Sequence, residues 1–537
     1  MNFRRNLVIG GGIIVAAAAT MASGPPAAQA QSSTTAAISA PATPSGTENE
    51  LTELRANQQL LQRRLDQLEQ IAQVGVAHPH LPTGTASLAG SFPRSFLIPG
   101  TDTSIAIGGR VILSATEFFH GGNPNTSNGS NTGSYGTASI PGLPLNGSAA
   151  SKRSNDVFYM NSQESRLFFE TRTPTALGEA KTYIEFDFHG CTASGTNCSG
   201  LTTFVNPLLP RLRLAYATLG PWMFGQNWGI GTDLAAFPEA FDFTGIVGTW
   251  GRGRVPEASY TFAIPTIAGN ASLQVGLMMP VATMSTPQGE IANDTNMALG
   301  INGGGALGEN PLKNEWPQPA FALTWHQPWG HVQLHADLQE YYLNDGLFLN
   351  RSYLGGGGGA SGSFKLWGRD NLGWSVSAGK GESTTNSGGG PGNWFSGLVS
   401  NFGGAGAGCY GAVASVSCPG GGVNTAATAG LVKVALPGSF NANLNYQHWW
   451  TPTVRSTFNI GYQDQTINTT LIGSDPKGVA LLGSFYNRSE ILGLANLIWS
   501  PVPFVDTGFE FFYGARQTFS HARGSEIGLD YNFVMKF

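Results

Sequence analysis

The sequence predicts an all-β membrane protein, an antiparallel transmembrane β-barrel of about sixteen strands preceded by a short N-terminal coiled-coil helix. Three observations carry that prediction. Only 11% of the 537 residues are charged, against about 25% in an ordinary soluble domain. Beyond Ala30 no apolar run reaches the ~18 residues a membrane helix needs. The chain instead shows many runs of strict alternation, clearest at Ile527, Leu529, Tyr531, Phe533, Met535 and Phe537, with Asp530, Asn532 and Lys536 on the opposite face.

Residues 1–30 carry Arg4 and Arg5, an apolar run from Leu7 to Thr20 and Ala28-Gln29-Ala30, which read as a secretory signal peptide. The paired arginines could mark export in the folded state, but their flanks are loose and a barrel must cross the inner membrane unfolded. Residues 31–46, rich in Ser, Thr, Ala and Pro, read as a flexible linker. In 47–76, Leu51, Leu54, Gln58, Leu61, Leu65, Leu68 and Ala72 recur at spacings of three and four among Arg55, Arg63, Arg64, Asp66 and Glu69. That is a coiled-coil seam, expected to lie in the periplasm and to oligomerise the chain. Leu60 and Ile71 lie off the seam, and a single amphipathic helix packed on its own domain is the alternative. Residues 77–90 form a second linker, and 91–537 the barrel.

Cost decides the register between Ala180 and Phe188. Placing Lys181, Glu185 and Asp187 outward would put three charges into hydrocarbon, at roughly 2–4 kcal/mol for Lys at mid-depth, so they face the lumen while Thr182, Ile184, Phe186 and Phe188 face lipid. The first strand repeats the pattern, with Ile105, Ile107, Val111 and Leu113 outside and Arg110 inside. Short Pro-containing turns at Pro174, Pro221, Pro265, Pro328, Pro452 and Pro501 alternate with long loops at 120–155, 280–316 and 384–429. Trp222, Trp329, Trp449, Trp450 and Trp499 sit beside the short turns, which suits an aromatic girdle at the periplasmic interface. The Phe537 terminus resembles the aromatic signal by which outer-membrane barrels are recognised. A soluble β-sandwich or β-helix would need polar outer faces that these strands lack.

Cys191 with Cys198 and Cys409 with Cys418 fall as two local pairs in Gly/Ser/Asn-rich loops and are expected to form disulfides, each contributing roughly 2–3 kcal/mol. Metal binding is the alternative, but neither pair has a His at ligand spacing. No metal or cofactor is expected. A net charge of −5 and a pI near 6.0 give no case for nucleic acid.

Several stretches resemble the DcaP-like outer-membrane porin family: SFLIPGTDTSIAIGGRV from Ser95, SRLFFETRTPTALGEAKTYIEFDF from Ser165, LRLAYATLGPWMFGQNW from Leu212, DLAAFPEAFDFTGIVG from Asp233 and NLIWSPVPFVDTGFEFFYGAR from Asn496. The resemblance implies an outer-membrane homotrimer of sixteen-stranded barrels with an N-terminal coiled coil, taking up small, often anionic molecules such as dicarboxylates. The Gly-rich insertions at 355–363 and 384–429 and the segment Gly251-Arg252-Gly253-Arg254 depart from the family pattern, which bears on solute preference rather than fold.

Residues 229–256 fall between the fifth and sixth strands, where a trimeric porin folds a loop into its barrel. That loop carries Asp233, Glu239, Asp242, Arg252 and Arg254. Facing it from the wall are expected Arg110, Arg166, Glu170, Arg172, Lys181, Glu185, Asp187, Arg211, Arg213, Arg455, Glu510 and Arg516. A basic wall against an acidic loop makes a transverse field that selects by sign, here with a modest preference for anions. Each of these charges could equally be a salt-bridged wall residue. The best catalytic candidate, His331, His335 and Asp337 on one strand face, has no serine between its members and no oxyanion site, so no enzyme is expected. A barrel anchoring the membrane to the cell wall through the coil is the structural alternative, but that needs only about eight strands around a filled lumen.

Overall fold

The computed structural model describes residues 89–122, 143–190, 209–241, 246–251, 253–266, 269–280, 283–286, 289–292, 311–381, 397–403, 407–411, 418–467 and 487–537. The expected signal peptide, the 31–46 linker, the coiled coil and Cys191, Cys198, Asp242 and Arg252 lie outside the described residues.

Sixteen antiparallel strands close into a barrel: β1 (Ser104–His120), β2 (Arg166–Thr175, continued towards the long loops by Val157–Asn161), β3 (Gly178–Gly190), β4 (Leu209–Leu219), β5 (Trp222–Trp228), β6 (Arg254–Thr266), β7 (Gly269–Met278), β8 (Gln318–Gln327), β9 (Gly330–Asn344), β10 (Asn350–Lys365), β11 (Asn371–Lys380), β12 (Gly438–Trp449), β13 (Val454–Thr466), β14 (Asn487–Val502), β15 (Val505–Thr518) and β16 (Arg523–Lys536). β16 closes on β1 with Lys536 opposite Arg110 and Met535 opposite Val111. Closure removes the sheet edges, so every strand finds backbone partners that lipid cannot supply.

The alternation written in the sequence decides which face meets lipid. Ile107, Val111 and Leu113 of β1 and Phe509, Phe511 and Tyr513 of β15 are exposed, while Ser104, Thr116, Glu510 and Arg516, on the alternate positions of the same strands, are buried. Strands join by tight turns at one end, here the turn end. Gly330 opens one of these at φ 143°, and a Cβ there would stand 1.9 Å from the Ser363 carbonyl oxygen, so only glycine fits.

One girdle residue goes the other way. Trp450 is exposed, but Trp449 shares the inward row of Asn443 and Asn445, faces Arg455 across the strand pair and lines a cavity at the turn end. Two consecutive strand residues must face opposite sides, so the tryptophan pair could not both belong to the belt.

At the loop end a small separate core forms. Thr283–Thr286 and Gly289–Ala292 join Leu398–Ser400 and Val434–Ala435 in a four-stranded sheet. Met284, Tyr341, Leu343, Leu398, Phe402 and Tyr410 bury one cluster beside it, and a disulfide joins Cys409 to Cys418.

Candidate pore constriction

The chain leaves β5 after Trp228 and folds into the lumen before β6 begins. Backbone shape admits it there. Gly248 has φ 80°, and a Cβ on it would meet the Ala442 carbonyl oxygen at 2.0 Å, while one on Gly461 would meet the Val247 oxygen at 2.1 Å. Two glycines therefore let the loop backbone lie directly on β12 and β13.

Side chains then suture it in place. The Ile230 amide donates to Glu257 (3.1 Å). Asn445 donates to the Ala236 carbonyl and Asn443 to that of Val247, both at 2.8 Å. Asn496 donates to the Glu239 carbonyl (2.7 Å), and the Phe241 amide donates to Glu510 (3.0 Å). His331 Nε2 lies 2.9 and 2.8 Å from the two oxygens of Asp233, which also accepts from Ser361 (2.7 Å). Buried polar groups satisfied this way specify one loop position, since each left unmade would cost about 1–3 kcal/mol.

Between the loop and the wall runs a cavity of about 400 Å³. Arg110, Arg166, Arg213, Arg455 and Lys536 line it as cations, and Glu164, Glu185, Glu239, Asp506 and Asp530 as carboxylates. Register stacks part of this set into one rung: Lys536 opposes Arg110, Arg110 opposes Arg166, Arg166 opposes Asp187 and Asp187 opposes Arg211. Most members are paired. Arg166 meets Glu164 at 2.9 Å, Arg213 meets Glu185 at 2.6 Å and Asp187 at 2.8 Å, Arg211 meets Asp187 at 2.6 Å and Lys536 meets Asp506 at 2.6 Å. Arg455 grips Glu239. Among the described residues Arg110 has no carboxylate partner, and its Nε is buried without an acceptor.

Of the residues expected from sequence, Arg110, Arg166, Glu185, Arg213, Arg455 and Glu239 come together around this passage, with Asp187 and Arg211 joined to them through ion pairs. The remainder are placed elsewhere. Glu170, Arg172 and Lys181 form a separate cluster nearer the turn end, with Arg172 and Lys181 at 2.6 and 3.3 Å from Glu170 and Arg172 stacked on Phe92. Asp233 and Glu510 are loop anchors. Arg516 donates to the Leu143 carbonyl and to Asn487, both at 2.8 Å. Arg254 begins β6 rather than sitting in the loop, its guanidinium 5.0 Å from the Trp228 ring.

The field also differs from a basic wall against an acidic loop, because Glu164, Asp506 and Asp530 stand on the wall itself. Glu164 sits just before β2, where no alternation announced its direction. Lys536, Asp530 and Asn532 did lie on the water-facing row of the last strand. Of the catalytic candidates, His331 binds Asp233 and contacts Ser363 at 3.1 Å, and His335 stacks on Trp250 of the loop at 4.5 Å, so both serve to hold the loop.

No protein-family model matches the chain, and none of the curated proteins matches it in sequence. Solved structures do. The outer membrane channel DcaP of Acinetobacter baumannii superposes with a TM-score of 0.57 at 18% identity, over 84% of this chain and 100% of that one. An anion-selective porin from Comamonas acidovorans matches at TM-score 0.42 and 8% identity (81% and 100%), and Salmonella typhi OmpF in complex with daunomycin at 0.42 and 9% (81% and 98%). The fold is thus that of the DcaP channel barrel, as the sequence resemblance implied.

Proposed function

We propose that the chain is an outer-membrane porin, a passive diffusion channel for small polar solutes with a preference for anions, dicarboxylates among them. One observation carries the reading: a loop is sutured inside a sixteen-stranded barrel and leaves a charge-lined passage beside it. A loop held by so many hydrogen bonds to inward side chains is built to narrow the lumen, and narrowing is useful only where something passes. The preference for anions rests on Arg110, which makes no ion pair with a carboxylate among the described residues, while the other lining cations each have an acidic partner.

In this reading the pore residues named from sequence act in two groups. Arg110, Arg166, Glu185, Arg213, Arg455 and Glu239 meet the solute, and Asp233 and Glu510 fix the loop. The long loops face outside and the short turns face the periplasm, where the coiled coil of residues 47–76 would tie three copies together. Planar-bilayer recordings in a salt gradient, with sugars and mono- and dicarboxylates added in turn, test it. A reversal potential of anion sign and current block by dicarboxylates are expected; absence of conductance would sink the reading.

A further inference from the structure

We propose that the turn end of the lumen holds a second solute site, in which the Arg369 guanidinium, laid on the Trp449 indole, takes the carboxylate of a small anion leaving the constriction. The inference rests on the channel reading above. Its starting point is a cavity of about 460 Å³ bordered by Glu239, Arg369, Trp449, Pro452, Ser500 and Pro503.

Trp449 is the tryptophan that the girdle does not use. Its broad apolar face borders a polar mouth, a placement that costs hydration unless a partner covers the ring. Arg369, in the turn between β10 and β11, supplies one side: its Cζ lies 3.4 Å from the ring centroid. Stacking fixes the guanidinium plane and leaves its edge donors aimed sideways. One of the five N–H groups such a side chain carries, on Nη1, is given to the Pro452 carbonyl at 3.1 Å.

The surrounding charges leave Arg369 unneutralised. Arg455 shares the same indole at 5.1 Å, but its Nε and Nη2 bind Glu239 and its Nη1 binds Ser500. Asp370, next in sequence, is committed elsewhere, accepting from the Trp449 amide (3.0 Å) and from Tyr446 (2.7 Å), with His448 Nδ1 at 2.7 Å. Among the described residues no carboxylate pairs with Arg369. A planar fork with spare donors beside an apolar wall fits a carboxylate on a short carbon skeleton, since the fork can bind both oxygens at once.

Glu239 borders both this cavity and the constriction. An anion passing between them must skirt that carboxylate, which keeps the two sites separate and each one weak enough to release its ion.

The test uses the full-length protein in planar bilayers at known orientation, with succinate added to one side at a time and blocking events counted. Arg369→Gln is expected to lower the succinate on-rate from the turn side about three- to fivefold, the effect of one solvent-exposed charge at contact distance. The on-rate from the loop side stays as in the parent. Arg369→Lys should restore the on-rate but shorten each block, because the charge returns without the fork. Trp449→Leu should shorten blocks at an unchanged on-rate; if that variant does not assemble, the two arginine variants suffice. Equal losses from both sides, or no loss in Arg369→Gln, would overturn the proposal. A cation-sign reversal potential in the unaltered protein would instead overturn the anion preference on which it rests, and that is read without any variant.

Discussion

Arg455 of β13 binds Glu239 of the inward loop through Nε at 2.6 Å and through Nη2, while its Nη1 reaches Ser500 of β14 at 2.7 Å. One side chain thus fastens the constriction to the wall.

Replacing that side chain should loosen the pore. In Arg455→Ala the exposed Glu239 carboxylate loses its main partner and keeps only Gln447, a loss worth about 0.2–1 kcal/mol of loop anchoring. Larger single-channel conductance with more open-channel noise is expected, with the barrel still migrating as a folded species in heat-modifiability gels.

Charge preference should hinge on Arg110. Arg110→Glu reverses the lining cation that makes no ion pair with a carboxylate among the described residues, so the salt-gradient reversal potential should move toward or past zero. Arg172→Glu, in the separate cluster with Glu170 and Lys181, should move it far less.

Gly248→Val tests the seating of the loop. Its Cβ would stand 2.0 Å from the Ala442 oxygen at a positive φ, so the loop must lift from β12. A wider size cutoff for neutral sugars is expected in liposome-swelling assays. An unchanged cutoff would show that the loop does not set the pore diameter.

Asp370 should stabilise the turn in a pH-dependent way. The Trp449 amide first, then Tyr446 and His448, hold its carboxyl at a pKa of about 2, below the unfolded value of about 3.9. Its contribution is therefore present above about pH 4 and disappears as pH falls through 2. Asp370→Asn should melt below the parent at neutral pH and converge with it at pH 2, as measured by thermal denaturation in detergent.

The Cys409–Cys418 disulfide belongs to the loop-end core. A double Cys→Ser variant should lose roughly 2–3 kcal/mol of local stability by the chain-entropy account. Faster proteolysis within 397–437 is expected, with unchanged conductance.

Strand number and lipid face were legible because each follows from period-two alternation and from the cost of charge in hydrocarbon, whereas the inward loop was placed by setting the strand count beside the trimeric porins. The division of labour among the charges was not. Alternation puts Glu510 on the water side and the loop carries Asp233, but only the fold shows that Glu510 takes the loop's Phe241 amide and that Asp233 ties the loop to His331 and Ser361. Trp449 and Trp450 illustrate the limit at its smallest: adjacency in sequence suggested a shared belt, and the pleat separates them. Nor could Gly248 and Gly461 be matched from sequence, because their need for a bare backbone arises only when a distant loop lands on the sheet.

Lys536 opposes Arg110 in the final strand pairing, and the Phe537 backbone exchanges hydrogen bonds with Gly109 at 3.1 and 3.0 Å. The seam that seals the cylinder therefore also completes the charged row beside the inward loop. A nascent barrel that has not yet zipped its last pair of strands lacks part of that charged row as well as part of its wall, and it completes both in the same step.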